Sequence, residues 1–147
     1  MAAERRAEVT WNGSLFEGGG SVSLVSSGVM TDQGVTWAAR TERSDGKTSP
    51  EELIAGAHAA CFSMALSNML AQAGSPPEQL DVSATSTFDK TDAGMRITTM
   101  KLEVRGRVPG IDAATFEEKA NAAKDGCPVS NALKGNVDIS VDAKLES

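Results

Sequence analysis

The amino-acid sequence predicts an α+β fold. Three features carry that expectation: short alternating apolar runs in the first third, one long apolar helix after them, and a strictly alternating run at the end. The order reads β-rich, helix, β, helix, β, which is the signature of strands and helices segregated along the chain.

Each element has its own local signals. "AEVTWNGSLF" places Asn12-Gly13 between two short apolar patches, the mark of a type I′ hairpin. Val22 and Leu24 alternate in "GGGSVSLVSSG". In "GVTWAART", Val35, Trp37 and Ala39 point one way, while Thr36, Ala38 and Arg40 point the other. Residues 8–42 are therefore expected to form a small antiparallel meander. A central helix is expected over residues 50–73. Ser49 is its N-cap, Pro50 its first residue, and Glu52 stands where it can reach back to the Ser49 amide in a capping box. Gly74, followed by Pro76 and Pro77, stops it.

"DVSATSTF" and "GMRITTMKLEVRGRV" predict a long, twisted β-hairpin over residues 80–108. Helices are expected over residues 112–134: one capped by Asp112 and ended by Gly126, then a short one with Pro128 in its first turn. The final strand, residues 136–145, alternates Val137, Ile139, Val141, Ala143 and Leu145. Without repeats, low-complexity tracts or long linkers, residues 1–147 read as a single domain.

The central helix is the anomaly. Leu53, Ile54, Ala57, Ala60, Phe62, Met64, Leu66, Met69 and Leu70 surround its axis instead of forming one stripe. A helix apolar all round must be covered on all sides, and one sheet from a chain this size covers one face. A second copy of the chain would cover the other, so a homodimer with these helices at its centre is expected.

Composition excludes several classes of function. The net charge is −6, with no Tyr and no run of Lys or Arg, which argues against a nucleic-acid partner or an anionic membrane. "MAAERRAEVTWNG" lacks the apolar stretch of a secretory signal, and the apolar run from Leu53 to Leu66 reads as too short to span a bilayer. A cytoplasmic location is expected, where two distant cysteines do not form a permanent structural disulfide. Two cysteines and one histidine also supply too few ligands for a metal site.

Five residues invite a chemical reading. The capping argument occupies Glu52 and leaves Glu51 with no task beyond its favourable place at the positive end of the helix dipole. Cys61, in mid-helix, is either a small core hydrophobe or a reactive thiol, and a reactive thiol there needs a neighbouring cation. His58 lies three residues back; it reads either as a hydrogen-bonded core residue or as a base. Arg40 is a cationic candidate from elsewhere. Cys127, between Gly126 and Pro128, sits at a helix N-terminus, where amides and dipole lower a thiol pKa. Sequence alone leaves open whether Cys61 and Cys127 meet.

"SPEELIAGAHAACFSMALS" followed by "GCPVSNALKG" closely resembles the osmotically inducible protein C family, OsmC, whose relatives are the organic hydroperoxide resistance (Ohr) proteins. The likeness extends through "VTWNGSLFEGGGSV", "VTWAARTE", "FDKTDAGMRIT" and "VPGIDAATFEEKANAAKDGCPVS". It implies an OsmC/Ohr-like fold, with antiparallel sheets wrapped around central helices in an intertwined homodimer. It also implies a thiol peroxidase without metal, haem or flavin. On this chain the family's attacking cysteine falls on Cys61, its resolving cysteine on Cys127, its arginine on Arg40 and its glutamate on Glu51. The implied reaction reduces organic hydroperoxides better than hydrogen peroxide, consistent with Phe62, Met64 and Ala65 around Cys61. The implied reductant is an external dithiol, of lipoyl type. Because Glu51 and Cys61 are ten residues apart on one helix, about 15 Å along its axis, each site is expected to take Cys61 and Cys127 from one chain and Arg40 with Glu51 from its partner. Two alternatives remain at this stage: a redox-responsive stress or binding protein using the cysteine pair as a switch, and a cysteine hydrolase using Cys61 and His58.

Overall fold

A computed structural model describes residues 1–146. They fall into two compact units, residues 1–53 and the remainder from Ile54. In the first unit, β1 (Ala7–Asn12), β2 (Gly19–Leu24) and β3 (Met30–Val35) form an antiparallel sheet in that order. The meander is as expected; its first turn is not. Asn12 pairs with Gly19, so residues 13–18 make a six-residue loop in place of a two-residue Asn-Gly turn. The loop has hydrogen bonds of its own, Gly18 N to Ser14 O at 2.8 Å and Glu17 N to Ser14 Oγ at 3.3 Å. Closing the chain on Ser14 strands Leu15 and Phe16 outside the sheet.

The second correction concerns residues 37–41. The alternation read there as strand is one turn of helix, α1 (Trp37–Thr41). Thr36 is extended and its side chain accepts from the Ala39 amide, while Arg40 N and Glu42 N donate to the carbonyls of Thr36 and Ala38. A strong N-cap outweighs an alternation only a few residues long. Arg40 therefore projects from a helix, not from a strand.

The central helix is α2 (Pro50–Gln72). Ser49 Oγ accepts from the Glu52 amide at 3.1 Å, but the Glu52 carboxylate takes its hydrogen bond from Thr48 Oγ1 at 2.8 Å. Thr48, not the Ser49 amide, thus completes the helix start. At the other end, Gly74 has φ +88°. Ser75 N donates to Leu70 O and Gly74 N to Ala71 O, the paired bonds of a Schellman motif. Along α2 the buried residues Glu51, Ala55, His58, Phe62, Leu66 and Leu70 recur every three or four positions and form one stripe. Gly56, Ala57, Ala60 and Met64 are exposed. One chain therefore covers one side of this helix.

In the second unit, β4 (Gln79–Thr91) and β5 (Gly94–Arg107) form the long hairpin, with a register shift at Thr87/Phe88. β6 (Asp138–Leu145) adds to β5 in parallel, from Thr99↔Asp138 to Gly106↔Leu145. A parallel neighbour needs a crossover, supplied by α3 (Ala113–Gly126) and α4 (Pro128–Leu133). Asp112 caps α3 by accepting from Thr115 N at 2.8 Å, and its bonds to Thr115 hold its carboxyl below the usual range. Phe62, Leu66 and Leu70 from α2 join Leu102 and Val104 of β5 and Phe116, Ala120 and Ala123 of α3 in one core. The Phe116 ring lies over Gly106, where a Cβ would fall 2.5 Å from its Cζ.

The full α2, with 23 residues, is long and apolar enough by length and composition to cross a bilayer; the expectation of too short a run considered only part of it. Within one chain 28% of its most apolar window is buried, along a stripe that carries Glu51 and His58 as well as the core residues Phe62, Leu66 and Leu70.

Candidate active site

Two of the five chemically suspect residues meet in the first unit. Arg40, in the last turn of α1, and Glu51, in the first turn of α2, form a two-pronged ion pair: Nε to Oε1 at 2.8 Å and Nη2 to Oε2 at 2.9 Å. Such a fork fixes the guanidinium plane as well as its charge. The Glu51 side chain is 8% exposed and that of Arg40 29%, so the carboxylate is the more buried member of the pair.

Arg40 borders a cleft of about 390 Å³ whose other walls include Trp11, Leu15, Val22, Trp37 and Leu53. This apolar surface was missed in the sequence, which directed attention to the neighbours of Cys61. Of those, Phe62 is fully buried in the core and Met64 is 72% exposed; neither forms a pocket wall beside the thiol. A usable signal did exist. Both tryptophans of the chain stand in its first 37 residues, one in β1 and one at the start of α1, and neither is fully buried. Trp11 is 39% exposed, and the Trp37 ring meets Phe16 edge-on at 5.7 Å.

The second unit brings Cys61 and Cys127 together. Both thiols are unbridged; Cys61 packs against the core cluster that includes Cys127, near enough for the Cys127 side chain and the Val129 amide to act on its titration. Burial pushes the Cys61 pKa above the ordinary thiol value; the Val129 amide opposes this, and the Cys127 thiol adds to it. An apolar, partly buried thiol of this kind does not ionise readily without added positive charge. Cys127 itself is fully buried at the junction of α3 and α4. Its amide donates to Ala123 O, closing α3, and its Sγ accepts from Ser130 N at 3.4 Å, opening α4.

His58 is turned toward Ser130, with Nε2 and Oγ 2.7 Å apart. Burial lowers its pKa, so the ring is neutral near pH 7. Ser130 is a residue the sequence reading passed over. The signal was its place in "CPVS", three residues after a helix-capping position, where an amide and a hydroxyl both face the cap. Among the described residues no cluster of three or more His, Cys, Asp or Glu is arranged to hold a metal ion.

The family model described as OsmC-like protein matches residues 43–142. This chain belongs to that family. It is 46% identical over 147 residues to the peroxiredoxin OsmC of Escherichia coli (strain K12), with both chains covered completely. It is 30% identical over 130 residues to the organic hydroperoxide resistance protein OhrB of Bacillus subtilis (strain 168), covering 86% of this chain and 92% of that one. The crystal structure of the Bacillus subtilis OhrB superposes with a TM-score of 0.75 at 27% identity, over 95% of this chain and 98% of the other. The fold is therefore that of the OsmC/Ohr proteins. Glu51, Cys61 and Cys127 lie inside the segment matched to the OsmC-like family, and Arg40 lies just before it.

Proposed function

We propose that this OsmC-family chain is a peroxiredoxin-like enzyme that reduces organic hydroperoxides to alcohols with an external dithiol. The observation that carries the reading is the Cys61–Cys127 thiol pair, two unbridged cysteines packed in one core cluster. Full-length similarity to a protein named peroxiredoxin OsmC supports it. In this mechanism the Cys61 thiolate attacks one oxygen of the hydroperoxide, the O–O bond breaks, and the alkoxide takes a proton and leaves as the alcohol. Cys61 is left as a sulfenic acid, which Cys127 converts to a disulfide with loss of water before further oxidation. An external dithiol, of lipoyl type, then reduces the disulfide by exchange.

Because burial opposes ionisation of Cys61, the reaction needs a fixed cation beside it. Arg40, oriented by Glu51, fits that role: its charge is permanent and its planar guanidinium suits both a thiolate and a developing alkoxide. Ten residues of helix, about 15 Å, lie between Glu51 and Cys61. The working unit is therefore a homodimer, in which Arg40 and Glu51 of the partner subunit complete each site and a second copy covers the exposed Ala57, Ala60 and Met64 face of α2. The apolar cleft beside Arg40 receives the hydrocarbon part of the substrate, which favours cumene or tert-butyl hydroperoxide over hydrogen peroxide. The enzyme needs no metal, haem or flavin and acts in the cytoplasm, where dithiol reductants are available.

The test is single-turnover chemistry on two variants. Cys61→Ser should consume no peroxide, even stoichiometrically. Cys127→Ser should consume one equivalent and then over-oxidise as peroxide rises. A Cys127→Ser protein inert in the first turnover, with Cys61→Ser active, would reverse the assignment. Full activity in both would end the two-cysteine reading.

A further inference from the structure

The peroxidase reading leaves one buried polar cluster unused. The only histidine of the chain is fully buried, and Ser130 is 3% exposed. His58 Nε2 lies 2.7 Å from Ser130 Oγ, and the same Oγ lies 3.1 Å from Cys127 Sγ. Three side chains thus form one unbroken line that ends on the sulfur assigned to resolve the sulfenic acid. The Ser130 amide also donates to that sulfur, at 3.4 Å, which fixes the thiol relative to the hydroxyl.

A purely structural reading, a satisfied core histidine, does not fit well. His58 Nδ1 is buried with no partner among the described residues, so the ring carries an uncompensated desolvation cost that an apolar side chain would not. The line has a chemical use. A hydroxyl both donates and accepts, so Ser130 can take the thiol proton while giving its own to the imidazole. The imidazole is neutral at rest because burial disfavours its charged form, and is therefore free to accept.

We propose that Ser130 and His58 form a proton relay that deprotonates Cys127 as it attacks the Cys61 sulfenic acid, with Ser130 touching the reacting sulfur and His58 acting through it. This rests on Cys61 being the attacking and Cys127 the resolving cysteine. In the step, the Cys127 S–H bond breaks; its proton passes to Ser130 Oγ, and the proton of Ser130 passes to His58 Nε2. The sulfur electron pair forms the S–S bond, and the S–O bond of the sulfenic acid breaks. The departing hydroxide takes a proton, returned from the imidazolium or drawn from solvent, and leaves as water. Cys127 is oxidised and the Cys61 sulfur is reduced, with no other electron carrier.

The experiment resolves the two phases after one equivalent of cumene hydroperoxide is mixed with reduced full-length protein. Sulfenic acid is trapped with dimedone and disulfide is counted by mass on non-reducing samples. His58→Gln keeps a hydrogen-bonding group but cannot carry the proton; Ser130→Ala breaks the line; Ser130→Thr keeps the hydroxyl. Loss of general-base assistance is worth about 10²-fold. Disulfide formation should slow by that order in His58→Gln and Ser130→Ala, while sulfenic acid formation changes by no more than about twofold. Ser130→Thr should retain at least about half of the wild-type disulfide rate. Equal disulfide rates in all four proteins would overturn the relay, as would a Ser130→Thr protein as slow as Ser130→Ala. If His58→Gln does not fold, the two Ser130 variants decide alone. Should the wild-type protein form sulfenic acid but no Cys61–Cys127 disulfide, the two-cysteine reading fails and the relay with it; that failure is visible before any relay variant is made.

Discussion

Replacing Glu51 by Gln tests how much of the activity depends on holding one guanidinium in place. The substitution preserves shape, removes one charge, and turns one of two acceptors into a donor that faces the donors of Arg40. Two contacts are at stake, at 2.8 and 2.9 Å. Opposite charges about 4 Å apart attract by about 4 kcal/mol at an effective dielectric of about 20. The Arg40 side chain is 29% exposed, so water replaces part of the lost attraction, and we take about half, roughly 2 kcal/mol. If that energy serves to hold the guanidinium at the reacting thiolate, kcat/KM for cumene hydroperoxide should fall about 30-fold, since about 1.36 kcal/mol is tenfold. Glu51→Ala, which removes both contacts, should fall further. Arg40→Lys, which keeps the charge and loses the fork, should fall at least as far as Glu51→Gln. Urea unfolding run alongside separates lost activity from lost structure. A Glu51→Gln protein that is folded and within threefold of wild-type kcat/KM would refute the claim that the fork orients a catalytic cation.

Refolding a mixture of Cys61→Ser and Glu51→Ala proteins, each nearly inactive alone, should restore activity in the mixed dimers, because one site collects both defects and the other none; heterodimers verified by mass but inactive would place each site within one chain. Leu53→Ala or Trp11→Ala should lower kcat/KM for cumene hydroperoxide more than for hydrogen peroxide, and an unchanged ratio would show that the cleft does not hold substrate. In an Arg40→Gln background the alkylation rate of Cys61 should keep climbing with pH beyond the ordinary cysteine range, because burial raises the pKa and reduces the thiolate present at neutral pH; removing the Cys127 thiol should move the profile to lower pH, and no movement would mean that the two sulfurs are not coupled. Gly106→Ala should destabilise the protein by about 1–3 kcal/mol in denaturant titrations, since its Cβ would sit 2.5 Å from a fully buried Phe116 ring, and Phe116→Leu should relieve part of that cost; additive effects of the two substitutions would argue against the contact.

The parts of the fold legible in the sequence were those with long periods or strong caps. The alternation of Ile139, Val141, Ala143 and Leu145 appears as the inward face of β6, and Asp112 and Gly74 mark helix ends where expected. The failures share a cause. Residues 35–40 offered too few positions to separate alternation from a helical turn, and Asn12-Gly13 was overruled by a loop that satisfies its own backbone at Ser14. The parallel direction of β6 could not be read from a strand pattern, because alternation is the same whichever way the neighbour runs. At the site, Glu51 was legible as a helix-start carboxylate, although the capping box ascribed to Glu52 gives way to a Thr48–Glu52 bond. The cleft and Ser130 were not, since both depend on residues far apart in sequence: Trp11 beside Leu53, and Ser130 beside His58.

The parallel seating of β6 has a consequence for the order in which the molecule is made. The hairpin of β4 and β5 closes between neighbours, but Thr99 meets Asp138 only after the intervening crossover has been synthesised and folded back. Local pairings form quickly and distant ones wait for loop closure. During synthesis the helix bearing Cys61 therefore leaves the ribosome long before the chain can seat α3 and α4, the elements that present Cys127. On the proposed mechanism, the nascent protein for that interval holds Cys61 without Cys127, and an oxidant arriving then would form a sulfenic acid with no second thiol to condense with before it reaches the sulfinic state. Oxidative damage to this chain should concentrate in the newly made fraction, not in the mature pool.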